Sequence, residues 1–316
     1  MAAIDVSSLT KDYGDLRAND ELSFEVDDGE VFGYLGPNGA GKTTTIRTLL
    51  GFMQPTSGTA TVLGADIRNE AELVDAKRHI GYLPANPAFD EHVTGRKLLD
   101  LHAAVKGDDR LERLLDTFAP PLTRPIREFS SGNVQKLGLV QAFMHDPDLV
   151  IMDEPTSGLD PLMQREFNEF VREEQSRGTT VFMSSHVLGE VRQVCDRVGI
   201  LRAGQLVAIE DVEDLLRRSG KTVRLRVAEP IDPAALELAG VHDMEVHAVD
   251  HDDDDEAGEF VFGGENHIVS EATMTYTGDI NELLDVVARY DLVDLEVQEA
   301  PLEDVFMRFY GRHADA

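Results

Sequence analysis

The stretch Glu30–Phe52, EVFGYLGPNGAGKTTTIRTLLGF, decides the fold. Its apolar opening to Leu35 reads as a buried strand, its glycines as a loop, and the part from about Gly41 as a helix. Within it, Gly36–Thr43 fits the pattern G-x-x-x-x-G-K-[ST], in the strand–loop–helix setting that a phosphate loop requires. Glycines let backbone N–H groups turn inward around phosphates, and the helix N-terminus adds positive partial charge. The candidate nucleotide-binding residues are Gly36, Pro37, Asn38, Gly39, Ala40, Gly41, Lys42, Thr43 and Thr44. Lys42 reaches the β and γ phosphates and Thr43 offers a hydroxyl to Mg²⁺.

Working outward, two further apolar runs, DLVIMDEP and GTTVFMSSH, lack the alternation of half-exposed strands, and a helical stretch Pro161–Gln175 separates them. They read as central parallel strands. The first ends in Asp153, placed to hold Mg²⁺ through water, so the metal candidates are Thr43 and Asp153. Glu154 follows, placed to take a proton from an attacking water or to orient that water. The second run ends in His186, whose ring would emerge at the carboxyl end of the sheet near the γ-phosphate. Glu154, His186 and Lys42 are thus the catalytic candidates.

FSSGNVQKL, Phe129–Leu137, makes the pattern specific. It resembles the signature motif of the ABC ATPases, and the other elements of that family follow in order. Tyr13 resembles the aromatic residue that stacks on adenine, SGLD at Ser157–Asp160 the D-loop, and His186 in SSH the switch histidine. The resemblance covers about residues 3–215, and EAPLEDVFMRFYG near the end is similar to the tail of type-2 drug-export ATPases. It implies an α/β P-loop NTPase with an antiparallel β subdomain and a helical subdomain at about residues 90–145. The implied activity is ATP hydrolysis to ADP and phosphate with ATP and Mg²⁺, coupled to export through separate membrane-spanning permease subunits. The implied assembly is a head-to-tail homodimer, or a paralogous heterodimer, in which Ser130, Ser131, Gly132, Asn133 and Gln135 face the ATP of the opposite protomer and Asp160 lies in the D-loop. The site is then peripheral, on the cytoplasmic face of the cell membrane. Ser130 also suits the N-cap of a helix beginning near Asn133.

Other classes fit less well. A phosphate-loop kinase or GTPase has no use for FSSGNVQ or SGLD, and Glu154 argues against a binding module without turnover. The alternative within the family is a soluble ATPase of DNA repair or translation, but the long coiled coils, zinc insertions or second nucleotide module of those forms are not in the sequence. One position departs from the family: after Ile80–Pro84, where a glutamine or glutamate is expected, this chain has Ala85. Either Asn86 takes over that contact or water completes the metal shell; the expected consequence is altered coupling to the membrane partner.

Composition bounds the rest. There are 60 acidic and 29 basic residues among 316, a formal net charge of -31. Such a field repels phosphate backbones, so no nucleic-acid partner is expected. Only seven lysines occur, which together with the acidity suggests a halophile's protein working in molar salt, where carboxylate repulsion is screened; the alternative is simply an acidic soluble protein. No apolar run approaches a membrane span, no secretory signal is visible, and the lone Cys195 forms no internal disulfide. The sequence changes character at Ser219 and Gly220, so the domains are expected at 1–218, the ATPase, and 219–316, a small α+β accessory domain. The latter reads as strands near Val223–Val227, Met244–Val249, Glu259–Phe262 and Thr273–Thr277, then helix, strand and helix. The run Asp252–Asp255 lacks the ligand spacing of a calcium loop and reads as a solvated hairpin tip.

Overall fold

The computed structural model describes residues 2–236, 238–249 and 269–299. The chain divides into two compact units, Met1–Val212 and Glu213–Ala316.

The first unit holds two sheets. An antiparallel one runs β2-β1-β4-β5, from β1 (Ala2–Asp12), β2 (Arg17–Asp27), β4 (Ser57–Val62) and β5 (Ala65–Asp66). The other has six strands: β3 (Val31–Leu35), β6 (Ile80–Leu83), β7 (Leu149–Asp153), β8 (Thr180–Ser185), β9 (Arg197–Arg202) and β10 (Gln205–Asp211), in the order β10-β9-β3-β8-β7-β6. All neighbours are parallel except the terminal hairpin β9-β10. Every residue of β3, β7 and β8 is buried, which is why their sequences run apolar without alternation. Strand β2, in the other sheet, largely alternates buried with exposed positions. The sheets meet in one core where Phe24 stacks on Phe32 and Phe182, at centroid distances of 5.9 and 6.1 Å. Each ring so buried contributes roughly 2–3 kcal/mol.

Between β6 and β7 the chain makes the helical insertion: α3 (Gly95–Lys106), α4 (Leu111–Phe118) and α5 (Ser131–Phe143). Thr94 caps α3 by accepting from Lys97 N, and PPLTRP separates α4 from α5, as expected of a proline-rich break. Phe118 and Phe143 pack edge-on against Phe170 of α6 (Pro161–Ser176) at 5.1 and 4.8 Å. Beneath them Arg110, 7 % exposed, forms a bidentate pair with Glu174 of α6, 0 % exposed. Around the sheets lie α1 (Lys42–Leu49), α2 (Glu70–Ala76) and α7 (Leu188–Val194). No helix among the described residues is long and apolar enough to cross a membrane.

The second unit begins within α8 (Val212–Ser219) and holds an antiparallel sheet β12-β13-β11-β14, from β11 (Lys221–Val227), β12 (Val241–Val249), β13 (Val269–Tyr276) and β14 (Leu292–Glu299). Val223, Leu225 and Val227 point into its core while Arg224 and Arg226 point out to Glu271, at 2.8 and 2.7 Å. α9 (Ile280–Val287) buries Leu283 and Val287 against that core. The expected strand Glu259–Phe262, the acidic run Asp252–Asp255 and the final helix lie outside the described residues.

Candidate nucleotide site

The topology makes β3, β8 and β7 neighbours in that order, so three loops leave the sheet side by side. The register is level: Leu35 pairs with Ser185, and Ser184 with Asp153. The phosphate loop, Glu154 and His186 therefore converge at the carboxyl end of the sheet, where ligands of open α/β sheets bind.

Each element is held by local chemistry. Gly41 sits at φ 112°, and a Cβ there would lie 2.2 Å from the Ala18 carbonyl, so only glycine fits the loop against β2. Asn19, fully buried, braces the same turn by donating to Thr45 Oγ1 at 2.9 Å and towards the Gly41 carbonyl at 3.4 Å. Lys42 Nζ, buried, donates to the carbonyls of Gly36 (2.6 Å) and Pro37 (3.3 Å) and lies 3.5 Å from Glu154 Oε1. Thr43 Oγ1 donates to Asp153 Oδ2 at 2.7 Å, bringing a hydroxyl and a carboxylate oxygen together. The other oxygen of Asp153 accepts from Ser184 Oγ. Glu154 is the first residue past β7 and lies at φ 49°, a left-handed conformation that costs on the order of 1 kcal/mol in a non-glycine residue. Its N–H is shared between the Ser184 carbonyl (3.2 Å) and hydroxyl (3.1 Å), which hold it there. The reward is orientation: Glu154 Oε1 is 3.2 Å from His186 Nδ1.

A cavity of about 260 Å³ is lined by Pro37–Thr44, Glu154 and Tyr13. Tyr13 is 54 % exposed, with its hydroxyl 3.3 Å from Met53 Sδ and Lys11 Nζ 5.2 Å from the ring centre. An exposed aromatic face beside the loop is what base stacking needs. A larger cavity, about 670 Å³, lies elsewhere, but Asp28, Glu72, Asp75 and Asp148 line it, and such a field disfavours a triphosphate.

The signature segment behaves differently from part of its expectation. The helix α5 begins at Ser131, earlier than Asn133, with Ser130 as N-cap accepting from Asn133 N at 3.3 Å. Ser130 and Ser131 are exposed. Gly132 lies against the D-loop of the same chain, since a Cβ on it would stand 3.2 Å from the Gly158 carbonyl. Gln135, expected to face a nucleotide on an opposite protomer, is instead 2 % exposed and donates to the Pro155 carbonyl at 2.8 Å. It sits on the inward face of α5 and locks the signature helix to the segment after Glu154. Asp160 of the D-loop caps α6, accepting from Met163 N at 3.0 Å. Ala85 is half-buried and brings only a methyl group, while Asn86 is exposed. The sequence does not single out Ser184 or Asn19; one of two adjacent serines at a strand end and an asparagine near the start of a strand carry no spacing signal.

Residues 19–157 match the family model described as ABC transporter. The chain is 32% identical to the bacitracin transport ATP-binding protein BcrA of Bacillus licheniformis, over 98% of this chain and 97% of that one. It is 31% identical to the Nod factor export ATP-binding protein I of Rhizobium etli, over 100% of this chain and 95% of that one. Among solved structures it is similar to an ATP-binding subunit of an ABC transporter, with TM-score 0.63 and 32% identity over 68% of this chain and 92% of that one. A dimeric ATP-binding cassette bound to ADP and Pi shares the fold at TM-score 0.60 and 20% identity, over 66% of this chain and 98% of that one.

Proposed function

This chain belongs to the ATP-binding proteins of ABC transporters, and from that premise we propose how its residues carry out the ATP hydrolysis of that family. The observation that carries the reading is the convergence of Lys42, Glu154 and His186 within 3.5 Å contacts beside the Thr43–Asp153 pair. Backbone N–H groups of the Gly36–Thr44 loop and the α1 N-terminus receive the phosphates, and Lys42 exchanges its carbonyl partners for phosphate oxygens. Tyr13 receives the adenine. Thr43 and Asp153 offer the hard oxygen ligands that suit Mg²⁺, which when bound neutralises phosphate charge. Glu154 orients the attacking water and takes its proton, and His186, bonded to Glu154, contacts the γ-phosphate and fixes the geometry.

Ser130, Ser131, Gly132 and Asn133 open a helix whose exposed N-terminus seeks an anion, and we assign that anion to the ATP of a second ATPase subunit, identical or paralogous. Closing and opening of this head-to-tail pair drives membrane-spanning permease subunits from the cytoplasmic face, in the direction of export. Residues 1–218 form the motor in this reading and 219–316 an accessory domain; the compact units divide close by, at Val212. The repair or translation role has no support among these relatives.

The test is steady-state ATPase activity of the chain and its Glu154→Gln variant. A positioned general base is worth roughly 10²–10⁴-fold, so turnover should fall at least a hundredfold while nucleotide binding persists. Turnover equal to that of the wild type would remove Glu154 from the mechanism.

A further inference from the structure

One carboxylate outside the nucleotide cavity joins two of the catalytic loops. Glu190 lies in the first turn of α7. Thr156 Oγ1 donates to its Oε1 at 2.6 Å, and Ser185 Oγ donates to its Oε2 at 2.6 Å. Each hydroxyl has a single proton: that of Thr156 goes to this acceptor, and that of Ser185 lies closer to it than to the Val187 carbonyl, which stands at 3.2 Å. A glutamate at this position of a helix ordinarily reaches back to its own N-cap N–H. Here the Val187 N–H is taken by Ser185 Oγ at 2.9 Å, which frees the carboxylate to face Thr156 as well. Thr156 is 3 % exposed and Ser185 1 %, so both bonds are sheltered from water, where bonds to an ionised group count most.

The placement of the two hydroxyls matters. Ser185 directly precedes His186. Thr156 stands within the turn that Ser157 N closes on the Glu154 carbonyl at 3.1 Å. Resting on the assignment of Glu154 and His186 above, we propose that Glu190 is a positioning residue for ATP hydrolysis: it ties the segment after β7 to the segment after β8 and so holds Glu154 and His186 at their 3.2 Å contact. It touches neither nucleotide nor metal, and acts by keeping two loops from drifting apart once bond breaking changes the charge between them. Positioning of this kind is read in kcat more than in substrate binding.

The experiment uses the full chain at saturating MgATP, with folding followed by circular dichroism. Glu190→Ala should lower kcat about tenfold or more with KM for ATP changed less than about threefold, since only the transition-state arrangement is lost. Glu190→Gln, which still accepts from one hydroxyl, should recover to within about threefold of the wild type. His186→Ala should cost markedly less in the Glu190→Ala background than alone, because groups acting as one unit are non-additive. Wild-type kcat in Glu190→Ala, a loss that only tracks the folded fraction, or additivity with His186→Ala overturns the proposal. If Glu190→Ala does not fold, Thr156→Val and Ser185→Ala each remove one arm; unchanged kcat in both overturns it equally. Absence of turnover in the wild-type chain overturns the assignment of the site and this inference with it, whereas turnover that Glu190→Ala leaves intact overturns this inference alone.

Discussion

At the scale of single residues, what the sequence made legible is what a spaced motif announces. Gly36–Thr43, Asp153, Glu154 and His186 each stand at a strand end, and a strand end in a parallel sheet is a position with a direction. The supporting residues had no such marker. Ser184, which holds Asp153 and the Glu154 N–H, is one of two adjacent serines at the end of a strand, and nothing in the sequence separates its role from that of Ser185; for Gln135, a helix start does not reveal which face turns inward. Titration adds a residue-scale prediction. His102 and His145 pack edge to face at 5.6 Å, and burial first, then Lys106, pushes both imidazoles from 6.5 down to about 4. Their depressed folded values mean the unfolded chain binds protons first, so their contribution to stability is complete above 6.5 and is lost as pH falls from there towards 4. Each such proton tilts stability by up to about 1.4 kcal/mol per pH unit. Thermal unfolding should therefore drop by several degrees between about pH 7 and pH 5, before ordinary carboxylates titrate, and the double variant His102→Gln, His145→Gln should flatten that slope. An unchanged slope would mean the pair is not the source.

At the scale of elements, the helical insertion is joined to α6 by a charge pair and by aromatic edges. Arg110 at the start of α4 is matched to Glu174, with a further contact to Asp146 at 3.3 Å. Replacing Arg110 alone by Met leaves an uncompensated carboxylate at 0 % exposure, which should cost about 3–5 kcal/mol in urea unfolding. Changing Glu174 to Met as well should restore most of that, because a well-packed apolar pair often equals a buried ion pair. A double variant as unstable as the single one would show that the two side chains do not act as a pair. The sequence indicated the helices and the proline break, since caps and prolines are local signals. It gave no hint of this pair, whose members stand 64 positions apart.

At the scale of the whole molecule, the order of strands was only partly legible: apolar runs announced buried parallel strands, but their adjacency β3-β8-β7 is a product of topology and is what builds the site. The net charge of -31 belongs to this scale too, because two such subunits repel unless salt screens them. In the proposed cycle the exposed signature segment is completed by a second subunit through ATP, and hydrolysis dissolves the pair. The measurement that tests this most directly is light scattering on the Glu154→Gln chain in molar KCl, with and without MgATP. A nucleotide-dependent dimer that Lys42→Ala abolishes is the predicted result. A chain that remains monomeric with ATP bound would contradict it.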